Sequence, residues 1–167
     1  MIKKLLVAFM ALTIYIVGVF YNTAYAEPQS VDYDCQDSLY VTADDRYILY
    51  RIGHAEARGE DDKGIILVIN VIINRKNSPY FPNTIRGVVF QPRQFSPIAD
   101  GSFDRAVPCQ RVKDAVQRAL DGADYSQGAT FFRATVGAEG SWHERTLDRI
   151  FTHGNHHFYV PRDCEEK

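Results

Sequence analysis

Cysteine, excess positive charge and the common hydrolase signatures are all scarce in this sequence. Three cysteines in 167 residues, Cys35, Cys109 and Cys164, are too few for a disulfide-dense scaffold. They also lack the C-x-x-C spacing of a zinc or redox site. Lysine and arginine together number 19 against 21 acids, which excludes the basic footprint of a nucleic-acid binder. No serine stands in G-x-S-x-G and no H-E-x-x-H occurs, so neither a nucleophile elbow nor a zincin helix is encoded. No internal repeat and no low-complexity tract interrupts the chain.

What is present begins with "MIKKLLVAFMALTIYIVGVFYNTAYA". Lys3 and Lys4, an apolar stretch from Leu5 to Phe20 and a small-x-small ending at Ala24–Ala26 predict a secretory signal peptide over residues 1–26. The apolar stretch falls short of the roughly 20 residues of a spanning helix; an uncleaved membrane tether is the alternative. Glu27, not cysteine, follows, which argues against a lipoprotein. Cleavage after Ala26 leaves 141 residues, enough for one core, and the loss of Lys3 and Lys4 takes the formal charge from −2 to −4. The expected location is outside the cytoplasm. There, three cysteines predict one disulfide and one thiol, with three pairings open; Cys35 with Cys164 would tie down both ends.

Residues 27–43 read as an extended lead-in and 44–167 as the working domain. Asp44 or Asp45 can cap a helix with Ile48, Ile52 and Ala55 on its apolar face, stopping near Gly59. The run Ile65–Ile73 is β-branched and apolar except for Asn70, which locally favours a strand. Asp61 and Asp62 before it, Arg75 and Lys76 after it and Pro79 beyond instead predict a buried helix. A short helix is expected from Asn83 or Thr84, then a loop "QPRQFSPIADG", then a helix after Pro108 with Val112, Ala115, Val116, Ala119 and Leu120 as its stripe and Gly122 at its end. "ATFFRA" and "HHFYV" read as short strands separated by a loop holding Trp142. Helices first and a small β element late make an α+β domain.

The stretch "HAEARGE" holds the chemistry best. On a helix Glu56 has Ile52, Gly53, Gly59 and Glu60 at i−4 to i+4. The glycines would leave space beside the carboxyl, and Glu60 would add a like charge that disfavours ionisation. A carboxyl so placed suits a general acid, which at neutral pH needs its pKa raised to around 6; a solvated helix end is the plain alternative. His153, His156 and His157 invite a zinc reading, with His153 and His156 meeting on a helical turn. The simpler expectation is a strand with His156 bonded inward and His157 facing out. Phe95, Trp142 and Tyr159 have flat faces beside hydrogen-bonding groups that suit a sugar ring, with core packing as the alternative for Phe95 and Tyr159.

Taken together, "AEARGE", Gly64, Asn74-Arg75, "FPNTIRGVVFQPRQFSPIADG" and "GNHHFY" occur in the order of a known family. From about Asp45 to Tyr159 the chain resembles the spore-cortex-lytic cell-wall hydrolases, which cleave peptidoglycan. The resemblance implies a mostly helical lysozyme- or lytic-transglycosylase-like domain with a small sheet, acting in the periplasm, wall or spore cortex. It implies Glu56 as the catalytic acid. Gln94, Phe95 and Ser96 map to "QFS" and His156 to the late histidine before an aromatic, and these join Glu60, Trp142 and Tyr159 as expected substrate-binding residues. No metal or cofactor is expected. The partner is the peptidoglycan glycan strand, cut between N-acetylmuramic acid and N-acetylglucosamine by one glutamate as in a lytic transglycosylase. Among possible second carboxylates, Glu60, Asp61, Asp100 and Asp104 remain open. The rival readings are a non-catalytic wall-binding module and a metal-dependent amidase. No wall-binding repeat stands in these 167 residues, so targeting is expected from the cleft, a membrane anchor or a partner.

Overall fold

The β-branched run folds as a helix, and described residues on either side pack against it. A computed structural model describes residues 41–162; the signal peptide, the extended lead-in before residue 41 and the Cys35–Cys164 pairing lie outside the described residues, while Cys109 is an exposed free thiol. Helix α1 spans Ala43–Ala57 and α2 Asp62–Asn77. Short helices follow at Ile85–Val89 (α3), Ser96–Ala99 (α4) and Ser102–Arg105 (α5), then α6 at Gln110–Leu120. Strand β1 (Phe131–Ala134), helix α7 (Trp142–Thr146) and strands β2 (Leu147–His153) and β3 (His156–Pro161) complete the order.

The caps explain the helix starts. Thr42, and not the expected Asp44 or Asp45, caps α1, in a reciprocal box with Asp45. Asp61 caps α2 by accepting from the Gly64 amide at 2.8 Å, and Thr84 caps α3. Tertiary burial overrides the strand propensity of α2: every residue from Gly64 to Ile72 is buried. Ile65, Ile66, Val68, Ile69 and Ile72 pack into the helical core with Ile48, Ile52, Val112 and Val116. Leu67 and Val71, four apart, face Ala129 and Phe158 on the sheet side. A helix apolar all round is thus covered on both sides.

Polar side chains on α2 hold the chain that feeds the sheet. Asn70 Nδ2 donates to Ala123 O at 3.0 Å, Asn74 Nδ2 to Ser126 Oγ at 2.8 Å and Ala129 O at 2.9 Å, and Arg75 Nε to Thr130 O at 2.6 Å. Each bond satisfies a group that burial would otherwise leave unpaired. The sheet is antiparallel in the order β1-β3-β2. The sequence reading missed β2, because "LDRIFTH" mixes charges with its apolar residues and is exposed at Asp148, Arg149 and Thr152. It also took α4 and α7 for loops; four and five residues are too short to show a helical period.

Candidate active site

Six elements or loops meet at a cavity of about 470 Å³. The last turn of α1 brings Glu56, α2 brings Arg75, and the segment into α4 brings Arg93, Gln94, Phe95 and Ser96. All four residues of the edge strand β1 line it, with Trp142 and His143 from α7 and His156 from β3. Of the residues expected from sequence, Glu56, Gln94, Phe95, Ser96, Trp142 and His156 are therefore brought together. Phe95 is 3% exposed and belongs equally to the core, whereas Trp142 is 50% exposed.

Glu60 and Tyr159 are not cavity-lining. Tyr159 is fully buried with its hydroxyl donating to Glu144 Oε1 at 2.7 Å; the ring packs inward instead of offering a sugar platform. The Glu60 carboxylate turns to the β2–β3 hairpin, accepting from Asn155 Nδ2 at 3.0 Å and the Asn155 amide at 3.3 Å, with His156 Nδ1 3.6 Å away. Gly154 makes this contact possible: its φ is +52°, and a Cβ there would collide with the Glu60 carboxylate. The three late histidines do not share a centre. His153 pairs with Asp61 at 2.7 Å and His157 with Thr152 at 2.7 Å. His153 faces His156 across a two-residue hairpin turn, not along a helix.

Glu56 is half-buried, and its pKa is pushed up to about 7, first by burial and then by the charge of Asp100. The neighbour that acts is thus Asp100 and not Glu60. Asp100, exposed, is held below the ordinary range by hydrogen bonds to Ser102, side chain first and backbone second. The two carboxyls are pushed apart, one protonated near neutrality and one ionised, a division of acid and base character seen in glycosidases. The two glycines beside Glu56 are not equivalent. A Cβ on Gly53 would meet Ile69 Cδ1 at 3.3 Å, so that glycine permits helix packing; open space exists at Gly59 alone of the two. His156 is pushed down, first by burial, although Glu60 pulls it up.

Residues that the sequence reading missed are Arg75, Arg93, Phe131, Phe132, Arg133 and His143. Arg75 read as a helix-end cation. The β1 residues carried a signal in the neighbouring aromatic pair Phe131-Phe132, but one edge strand contributing both faces cannot be read from alternation.

The cell wall hydrolase family matches residues 59–159. The chain belongs to that family. Glu56 lies three residues before the matched stretch, so the case for it rests on cavity geometry and on the motif. The spore cortex-lytic enzyme of Halalkalibacterium halodurans is 42% identical over 89 residues, covering 53% of this hydrolase and 27% of that protein. Cell wall hydrolase CwlJ of Bacillus subtilis is 31% identical over 139 residues, 74% of this chain and 92% of CwlJ. The catalytic domain of the germination-specific lytic transglycosylase SleB from Bacillus anthracis superposes with a TM-score of 0.65 at 34% identity, covering 71% of this chain and 96% of that one. The Bacillus cereus SleB catalytic domain gives 0.66 at 33% identity, with 72% and 93% covered. The chain spans about a quarter to a third of the length of the spore cortex-lytic enzymes it matches, from 27% to 34%. The α+β lysozyme-like architecture expected from sequence is the one found.

Proposed function

We propose that this hydrolase cleaves the peptidoglycan glycan strand between N-acetylmuramic acid and N-acetylglucosamine as a lytic transglycosylase, with Glu56 as both acid and base. The observation that supports it most is Glu56 itself, among the described residues the sole acidic side chain lining the cavity, and pushed up to about 7. Glu56 donates its proton to the glycosidic oxygen as the bond to the muramoyl anomeric carbon breaks. Positive charge develops on that carbon and its ring oxygen, opposite the newly formed Glu56 carboxylate. The carboxylate then takes the proton of the muramoyl primary hydroxyl, whose oxygen closes an anhydro ring on the same carbon. Glu56 ends protonated, ready for another turnover. Asp100 favours the protonated form at the start and does not line the cavity.

Mass spectrometry of the soluble products tests this. Anhydromuramoyl ends are expected; hydrated reducing ends would overturn transglycosylation and require a second carboxylate, for which Asp100 would stand first. Release of peptide stems with intact glycan would instead indicate an amidase. Binding to wall fragments without solubilising them would favour a binding module. The names of the relatives, spore cortex-lytic enzyme and germination-specific lytic transglycosylase, support spore-cortex peptidoglycan as the natural substrate. Digesting cortex and vegetative wall side by side checks that choice.

A further inference from the structure

The cavity carries charged side chains that acid catalysis does not use. Of its four charged lining side chains, Glu56 is one and Arg75, Arg93 and Arg133 are the others, in a chain whose net charge is −2. Arg75 is 4% exposed, and no carboxylate pairs with it among the described residues. Its Nη1, the Arg133 Nε and the His143 Nδ1 are each closed from solvent and without a hydrogen-bond partner. Of the seven buried side-chain atoms without a partner among the described residues, three thus belong to residues lining one cavity, where buried polar atoms are normally paired.

The surroundings only partly compensate. The Arg75 guanidinium lies 5.1 Å from the ring centres of Phe81 and Phe131 and 5.5 Å from Phe95. Ring contacts of this kind stabilise a cation less than its burial costs it, and the guanidinium has one further partner, Thr130 O, which accepts from Nε at 2.6 Å. Arg93 adds a cation held at φ +65°, a left-handed conformation uncommon outside glycine and seen at ligand-binding segments. The charges of Arg133 and Arg75 also reach His143, which they push below its ordinary value after burial has done so first.

We propose that Arg75, Arg133 and His143 form a subsite in the cavity for a carboxylate pendant on the muramoyl residue of the glycan strand. Peptidoglycan offers that chemistry from two sources: the peptide stem, or the lactyl group of a muramoyl residue without a stem. The inference rests on the glycan-cleaving reading of the cavity. A carboxylate would accept from the guanidinium groups while the glycosidic oxygen lies against Glu56. The subsite would then select the muramoyl side of the bond.

The test uses the full chain bearing Glu56→Gln, so that binding is measured without turnover. Affinity is compared for a glycan tetrasaccharide carrying tetrapeptide stems, the same compound with every carboxylate coupled to methylamine, and an amidase-stripped tetrasaccharide whose carboxylates are lactyl. The methylamide should bind at least tenfold more weakly than its carboxylate parent. Adding Arg133→Gln should abolish that difference, and so should Arg75→Gln if that variant retains its thermal transition. Tight binding of the stemmed compound alone assigns the stem, and equal binding of the stripped one assigns the lactyl group. Equal affinity for carboxylate and methylamide overturns the subsite; if the Glu56 enzyme also cleaves the methylamide, the glycan-cleaving reading stands while the subsite falls. Failure of the Glu56 enzyme to cleave any of the three, and of the variant to bind them, overturns both.

Discussion

Two asparagines of α2 have matched amides, whereas three nitrogens on residues lining the cavity have no partner. Asn70 and Asn74 sit inside the molecule with their amides bonded to Ala123, Ser126 and Ala129. Among the cavity-lining residues, Arg75 Nη1, Arg133 Nε and His143 Nδ1 lack partners, and the Glu56 carboxyl is pushed up toward its protonated form. The first region behaves as a scaffold, where each polar atom lowers the energy of one conformation. In the second, stability is given up in a place where a ligand can restore it. Glu56 and Glu60 show the same contrast within four residues. One faces the cavity with a raised pKa; the other is tied to Asn155 across the hairpin.

The largest expected effect breaks the comparison at Glu56. Glu56→Gln should lower peptidoglycan solubilisation by about a thousandfold, within the range of general acid catalysis, while circular dichroism stays unchanged. Retained turnover would remove the acid from the scheme. Next come changes on the matched side. Asn74→Ala removes a donor from buried Ala129 O and one of three partners from Ser126 Oγ, and should cost about 2–3 kcal/mol, read as a fall in Tm. Gly154→Ala should destabilise by a similar order, about 2 kcal/mol, because a Cβ would displace the Glu60 carboxylate and strain a positive φ; an unchanged Tm would show that the Glu60 latch is dispensable.

Two further effects are electrostatic. The folded value of Glu56, about 7, lies above its reference of 4.5, so the folded state binds more protons between those limits. Stability should therefore fall as pH rises from 4.5 through about 7, by an amount on the order of 3 kcal/mol at most. Glu56→Gln should escape that loss, so its melting profile should cross above the parent's on the alkaline side. Asp100→Asn removes the lesser of the two causes and should move the alkaline limb of activity to lower pH, a few-fold loss at about pH 8 and little change at about pH 5. A limb that stays put would leave burial as the sole cause of the raised value.

Much of this molecule is legible in its linear order, and the exceptions have physical reasons. The α2 helix can be predicted because Asp61, Asp62, Arg75, Lys76 and Pro79 mark its ends despite the β-branched interior. The amphipathic stripe of α6 and the catalytic-acid candidate in "EARGE" are likewise local. Strand β2 hides because its register with β3 shifts between Arg149 and Phe151, which breaks the alternation that sequence reading relies on. Gly53 and Gly59 look equivalent beside Glu56 until packing fills one position with Ile69 and leaves the other open.

By itself, then, the sequence determined the helical framework, the late sheet and the glutamate at the end of α1, since caps, periods and motifs act over a few residues. Only the tertiary structure decided that Asp100 and burial raise Glu56, that Glu60 serves the hairpin and Tyr159 the interior, and that three arginines share a cavity with the acid. Those outcomes depend on distances between residues far apart in the chain, and desolvation and Coulomb forces are set by such distances and not by order.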